Sequence, residues 1–323
     1  MSRVMPRCRN ALIALSAATL VAACGGGSSE QTGRVSVGLT DMPAEGLDKV
    51  VVRVTGVAFK REGTAPEEVE DFTPRSIDLL EQQGGRVAIL FENRPMPAGK
   101  YQWVRLLMDA TPNVEDSYVT LETAPDDRCE LTIPSGAESG LKMNRPIDVP
   151  AGGSLALTID FDVSKSVRRP PGLPSELCAS GYILRPTLRL VNNADVGAIA
   201  GTVNFDAGSP PADCSAPYVY LFEGASQTPD DLEDAEWDAP GFPTRLPVEL
   251  LPGETTGSYQ AAFIPAGEYT VVMTCDADTE ADESLAFIFP DDPATDGAVT
   301  DGTVTVQNNL IAEADFTVPV PTP

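Results

Sequence analysis

The sequence predicts an all-β fold, with two antiparallel β-sandwich domains following a cleaved leader. Three observations carry that expectation. Apolar residues recur at every second position: Arg34-Val35-Ser36-Val37-Gly38-Leu39-Thr40 alternates, and Leu155, Leu157, Ile159 and Phe161 alternate with Ala156, Thr158, Asp160 and Asp162. Val50 to Phe59 is dense in β-branched residues, and 29 prolines and 27 glycines supply frequent turns. No long stretch carries a capped apolar stripe of period 3.6, although Ile77 to Phe91 leaves room for one short helix.

Residues 1–23 read as a leader. Arg3, Arg7 and Arg9 form a basic start, and Ala11 to Ala23 is uncharged and too short to cross a bilayer. The string Leu20-Val21-Ala22-Ala23-Cys24 resembles the bacterial lipobox. The resemblance implies that Cys24 carries a diacylglyceryl group, that the leader is cut before it, and that the new amino terminus receives an acyl group such as palmitate. Several acyl chains on one residue give stable attachment, where one chain alone is marginal. Gly25 stands where the enterobacterial sorting rule looks for aspartate, which implies the outer membrane, on its periplasmic or cell-surface face. Residues 24–33 are the lipidated cysteine and a Gly/Ser-rich tether, whose nine residues after Cys24 span roughly 17 Å.

Charge and composition then exclude whole classes of function. Loss of Arg3, Arg7 and Arg9 leaves 19 basic against 48 acidic residues, a formal charge of −29, which disfavours nucleic acid and anionic surfaces as partners. The chain has no histidine, so Ser-His-Asp and Cys-His catalysis and His-ligated metals are excluded. Beyond Cys8 and Cys24, four cysteines remain: Cys129, Cys178, Cys214 and Cys275. They allow three pairings, and one pair per domain, Cys129–Cys178 and Cys214–Cys275, is the economical scheme. Four thiolates on a metal are the competing reading, without any C-x-x-C spacing to support it.

The expected first domain covers residues 34–191 and the second residues 197–317, with a Pro-rich tail at 318–323. The boundary at Asn192-Asn193-Ala194-Asp195 coincides with a change in charge. Residues 34–191 hold 18 basic and 23 acidic side chains; residues 197–323 hold Arg245 as the one basic residue against 23 acids. Pro97-Ala98-Gly99, Pro150-Ala151-Gly152 and Pro265-Ala266-Gly267 repeat one phrase that suits a tight hairpin entry.

In order along the first domain come Leu39-Thr40-Asp41-Met42-Pro43-Ala44, Ile77-Asp78-Leu79-Leu80, Pro97-Ala98-Gly99-Lys100-Tyr101, Ser139-Gly140-Leu141-Lys142, Asp160-Phe161-Asp162 with Lys165-Ser166-Val167, and Leu184-Arg185-Pro186. Together they resemble the bacterial lipoprotein domain of unknown function 4382. The resemblance implies an exported β-sandwich-like domain and no activity. In the second domain, Gly197-Ala198-Ile199-Ala200-Gly201-Thr202-Val203, Gly257-Ser258-Tyr259 and Phe263-Ile264-Pro265-Ala266-Gly267-Glu268-Tyr269-Thr270 resemble the transthyretin-like or carboxypeptidase regulatory-like sandwich. That resemblance implies a spacer or binding surface.

Four features invite chemistry. Ser139-x-x-Lys142 has the serine–lysine spacing of penicillin-binding enzymes but lacks their S-D-N and K-T-G elements, so it reads as coincidence. Asp160 and Asp162 share a strand face, as paired catalytic carboxylates or cation ligands would, but read as solvent-facing at the strand end, balanced by Lys165, Arg168 and Arg169. Asp276, Asp278, Glu280 and Asp282 alternate as oxygen ligands for calcium would, or form a solvated acidic hairpin; the run Asp230 to Asp238 shares that ambiguity. Tyr218, Tyr220 and Phe222 share a face as sugar-binding aromatics do, yet Val219 and Leu221 on the other face favour a buried central strand.

The expectation is a lipid-anchored, non-enzymatic binding or structural module of the cell envelope, with no cofactor unless calcium is bound. Its partners would be the membrane that takes its lipid anchor and an envelope protein or polysaccharide. The alternative is a glycan-binding or glycan-processing surface protein that works with paired carboxylates.

Overall fold

The computed structural model describes residues 31–42, 46–69, 71–109, 116–134, 140–168, 181–206, 214, 217–229, 243–251, 253–275, 287–292, 297–298 and 301–319. The alternation from Arg34 onward becomes β1 (Thr32–Met42), followed by β2 (Leu47–Arg61), β3 (Pro66–Glu68) and β4 (Arg75–Asp78). Next come β5 (Ala88–Pro97), β6 (Gly99–Met108), β7 (Tyr118–Leu121) and β8 (Ala124–Thr132). The chain continues through β9 (Leu141–Met143), β10 (Ile147–Val149) and β11 (Ser154–Asp162), then a one-turn helix α1 (Val163–Ser166). β12 (Val167–Arg168), β13 (Tyr182–Leu184) and β14 (Leu188–Asn192) complete this part. Where Ile77 to Phe91 left room for a short helix, the chain ends β4, makes a 3-10 turn at Leu80–Gln82 and enters β5.

These strands form two facing sheets. One has the order β14-β11-β1-β5; the other is ten-stranded and centred on β2 and β6. Val35, Val37 and Leu39 of β1 and Leu157, Ile159 and Phe161 of β11 point into the core, where they meet Val52, Phe59, Val104 and Leu106 of the second sheet. The period-2 pattern therefore selects the buried face, as an alternating strand must. Antiparallel pairs dominate, but β1 lies parallel to β11 and β13 parallel to β8.

After Asn192 a short 3-10 turn (Asn193–Asp195) leads into β15 (Val196–Phe205). β16 (Tyr218–Glu223), β17 (Pro243–Pro247), β18 (Thr256–Pro265), β19 (Gly267–Thr274), β20 (Phe287–Ile288), β21 (Asp291–Asp292) and β22 (Gly297–Ala298) follow. The last strands are β23 (Thr303–Val306), β24 (Ile311–Glu313) and β25 (Phe316–Val318). β18-β15-β24, with β25 also on β15, faces β17-β16-β19-β20, with β23 also on β19. A second core of Ile199, Val203, Leu221, Val271, Met273 and Phe316 lies between them. Val318, expected in a frayed tail, pairs with Phe205 and is buried, so the ordered edge runs one residue further.

The three Pro-Ala-Gly phrases are not hairpin turns. Each stands where the chain leaves one sheet of a sandwich for the facing one: β5 to β6, β10 to β11, and β18 to β19. Two of them share a tyrosine four residues after the proline. Tyr101 donates its hydroxyl to the Pro97 carbonyl at 2.8 Å, and Tyr269 donates to that of Pro265 at 2.9 Å. A phenol bonded back to upstream backbone fixes such a corner.

Candidate functional site

The second sandwich lies against the outer face of the β14-β11-β1-β5 sheet, and the side chains between them form the candidate site. Thr40, Thr158, Asp160 and Val191 lie on that outer face and should be solvated; instead they are 1–4% exposed. Gln260, Phe263, Leu246 and Leu221 of the second sandwich meet Thr40, Asp160 and Arg189 around a cavity of about 30 Å³. Such a space has room for one or two water molecules.

Asp160 and Asp162 are therefore not solvent-facing. Asp160 is 4% and Asp162 8% exposed, because packed structure covers a face that alternation alone assigns to water. Asp160 is held by Arg189, its cross-strand partner in the β11–β14 register, with Nε to Oδ2 at 2.6 Å. Burial raises the Asp160 carboxyl above its usual range, and the Arg189 guanidinium pulls back against that shift. Asp162 caps α1: its Oδ1 accepts from the Lys165 backbone N–H at 3.1 Å and from the Ser164 hydroxyl at 2.6 Å. Its Oδ2 pairs with Lys165 Nζ at 3.1 Å, so one of the expected balancing cations does meet it.

A third carboxylate completes the group. Asp41 follows Val35, Val37 and Leu39 at an inward parity of β1 and is 5% exposed. Its Oδ1 accepts the Val163 N–H at 3.1 Å, and its Oδ2 accepts from Gln83 Nε2 at 3.3 Å. Desolvation raises its pKa well above the usual carboxylate value; the two hydrogen bonds oppose this, and the charges of Asp160 and Asp162 add to it. The sequence pattern alone assigns no role to Asp41 or to Arg189. The signal was available in an acid at a core-facing position of an otherwise apolar alternation.

Each carboxylate is engaged by backbone, a cation or a short polar side chain, and the adjoining cavity is far smaller than a sugar ring requires. A wider hollow of about 550 Å³ opens beside it, lined by Arg86, Glu249, Gln260, Glu313 and Asp315. Arg86 and Glu249 approach to 3.9 Å across it, and both are largely exposed.

Cys214 and Cys275 form a disulfide. Cys129 is disulfide-bonded, while Cys178, Cys24 and Ser139 lie outside the described residues. So do Asp276, Asp278, Glu280, Asp282 and the run from Asp230 to Asp238. Among the described residues no group of three or more Cys, Asp or Glu is placed to hold a metal ion, and no helix is long and apolar enough to cross a membrane. Tyr220 is fully buried on the face opposite Val219 and Leu221, packed edge-on against Phe222 and at a tilt to Phe287. The aromatic row is a satellite core.

Residues 32–186 match the model of the Domain of unknown function (DUF4382). This segment of the chain belongs to DUF4382. The DUF4382 match begins with β1 and ends just before β14, so it contains Asp41, Asp160 and Asp162 but not Arg189. The cation that compensates the DUF4382 carboxylate comes from the strand that leads out of the matched segment. No curated protein matches the sequence.

Among solved structures, the chain is similar to a leucine-rich repeat protein of Bacteroides thetaiotaomicron, at 12% identity and a TM-score of 0.19 over 90% of this chain. It spans only 26% of that protein's length. A candidate adhesin of Bacteroides ovatus matches at 10% identity and a TM-score of 0.20, over 97% of this chain and 100% of the other. A candidate cell-adhesion protein of Bacteroides fragilis matches at 9% identity and a TM-score of 0.23, over 90% and 94%.

Proposed function

We propose that this protein is a lipid-anchored, non-enzymatic module of the bacterial cell envelope, held to the outer membrane through Cys24. Its two sandwiches would act as one stiff body that presents a binding or structural surface. The observation that carries this reading is the use made of the carboxylates. Carboxylates are the acid/base groups most plentiful in a chain without histidine. The pair that shares a strand face, Asp160 and Asp162, is committed to Arg189, Lys165 and the cap of α1. A glycan hydrolase needs two carboxyl groups facing each other across an open groove. Stiffness at the joint supports the same reading: Asn309 donates its N–H to the Val196 carbonyl at 2.7 Å, and its side chain reaches the Ala194 carbonyl.

Two measurements test the proposal. Cys24→Ser should move the protein from the membrane fraction to the soluble fraction; continued membrane association with normal processing overturns the anchor. Incubation with purified envelope polysaccharide and peptidoglycan should release no new reducing ends. Release that Asp160→Asn abolishes would establish the hydrolase instead.

A further inference from the structure

On the outer face of the ten-stranded sheet, β6 and β9 place two cations directly opposite one another: Arg105 pairs with Lys142 in the antiparallel register. Like charges in that position repel and destabilise a sheet. Both lie against one indole, with the Arg105 guanidinium 4.6 Å and the Lys142 ammonium 5.1 Å from the Trp103 ring centre. Lys60, the β2 partner of Trp103, adds a third cation to this stretch. The chain has 48 acidic residues to offer as partners, yet neither Arg105 nor Lys142 makes an ion pair among the described residues. Arg105 Nε is buried with no acceptor among the described residues. Gly140 also sits over the Arg105 stem, where an added Cβ would come within 2.9 Å of its Cγ, so the side chain is confined.

We propose that Arg105 and Lys142, set over Trp103, form a binding site for a doubly charged oxyanion of the phosphate monoester class. The indole face attracts both cations and holds them together despite their repulsion. What it does not supply is an acceptor for their N–H groups, and an oxyanion does. A guanidinium fork and an ammonium together suit a tetrahedral oxyanion. A phosphate monoester carries about −1.5 to −2 near pH 7 and so matches two cations, whereas a carboxylate leaves one unmet. The site goes beyond the envelope-module reading and does not depend on it.

The chain has two tryptophans, Trp103 and Trp237, so Trp237→Phe makes Trp103 emission a local reporter. The full chain carrying Cys24→Ser and Trp237→Phe is titrated with inorganic phosphate at pH 7, beside sodium chloride of equal ionic strength. Saturable change in phosphate and none in chloride is the expected result. Lys142→Gln should weaken it roughly tenfold and Lys142→Arg should restore it. Arg105→Gln should abolish it, with circular dichroism reporting the fold. Because Lys142 is exposed, its variants keep the test decisive if Arg105→Gln does not fold. Phosphatidylcholine vesicles with and without phosphatidic acid separate the sources. A response to phosphatidic acid vesicles alone assigns a lipid headgroup, and a response to free phosphate as well assigns a soluble phosphate group. Emission that follows ionic strength alone with no vesicle response, or a Lys142→Gln chain that binds as tightly as its parent, overturns the site.

Discussion

Arg189 Nε donates to Asp160 Oδ2 at 2.6 Å beneath the second sandwich, joining β14 to β11 with the carboxylate buried and the guanidinium side chain 30% exposed. A buried ion pair adds little over an apolar pair, but breaking one side strands a charge. Arg189→Leu should therefore destabilise the protein by on the order of 3 kcal/mol. The double variant Asp160→Asn, Arg189→Leu should recover much of the loss, because no charge is then stranded. Urea denaturation of the parent and both variants measures the difference.

Stability should rise as the solution is acidified from neutrality. Asp41, Asp160 and Asp78 all have carboxyl pKa values raised by burial, so the folded chain binds these protons more tightly than the unfolded chain. A raised carboxylate contributes stability that grows as pH falls through the folded pKa and is complete below the ordinary value of 3.8. Asp41→Asn should stabilise the protein at pH 7.5 and flatten its dependence between pH 7.5 and pH 5. Unfolding free energies at those two pH values, parent against variant, check both the sign and the residue.

Gly201 allows β24 and β25 to approach β15 closely. A Cβ built there would lie within van der Waals overlap of the Ala314 carbonyl, the same oxygen that accepts the Tyr259 hydroxyl at 2.6 Å. The obstacle is backbone, which cannot rotate away as a side chain would. Gly201→Ala should cost roughly 1–3 kcal/mol through overpacking, and thermal unfolding should show it. Gly253→Ala has open space but a positive φ, so its smaller loss would come from backbone strain alone.

The two proline-to-tyrosine corners offer a matched pair. Tyr101→Phe and Tyr269→Phe each remove one hydroxyl bonded to a carbonyl four residues upstream and leave the ring in place. Each should cost about 1 kcal/mol. A loss at one corner and none at the other would show that the shared phrase does not carry a shared structural role.

Much of this was legible locally and little of it at a distance. The alternation of Val35, Val37 and Leu39 with polar residues chose the core face of β1 correctly, because period 2 is a property of the strand itself. The same logic failed for Asp160 and Thr158. Their face is polar by pattern but is covered by packed structure, which no local pattern reports. The Pro-Ala-Gly phrases were legible as turns, but whether a turn closes a hairpin or crosses between sheets depends on which strands pair. Arg105 and Lys142 came together only through the β6–β9 register, across 36 residues of sequence.

The disulfide gives the last test. Cys214 and Cys275 lie just outside Tyr218 and Thr274, the paired residues at one end of the β16–β19 ladder, so the bond closes a loop of 61 residues at a point where two central strands already meet. Restricting the unfolded chain by a loop of that length is worth about 4 kcal/mol in the chain-entropy account. Reduction, or the paired change Cys214→Ser and Cys275→Ser, should lower stability by roughly that amount. The effect should concentrate in the second sandwich, since its core of Val219, Leu221, Val271 and Met273 lies on those two strands. Hydrogen exchange can separate the two parts: amides of β16 and β19 should lose protection on reduction, while those of β1 and β11 should retain it. Equal loss in β1 and β11 would mean that the two sandwiches unfold as a single cooperative unit.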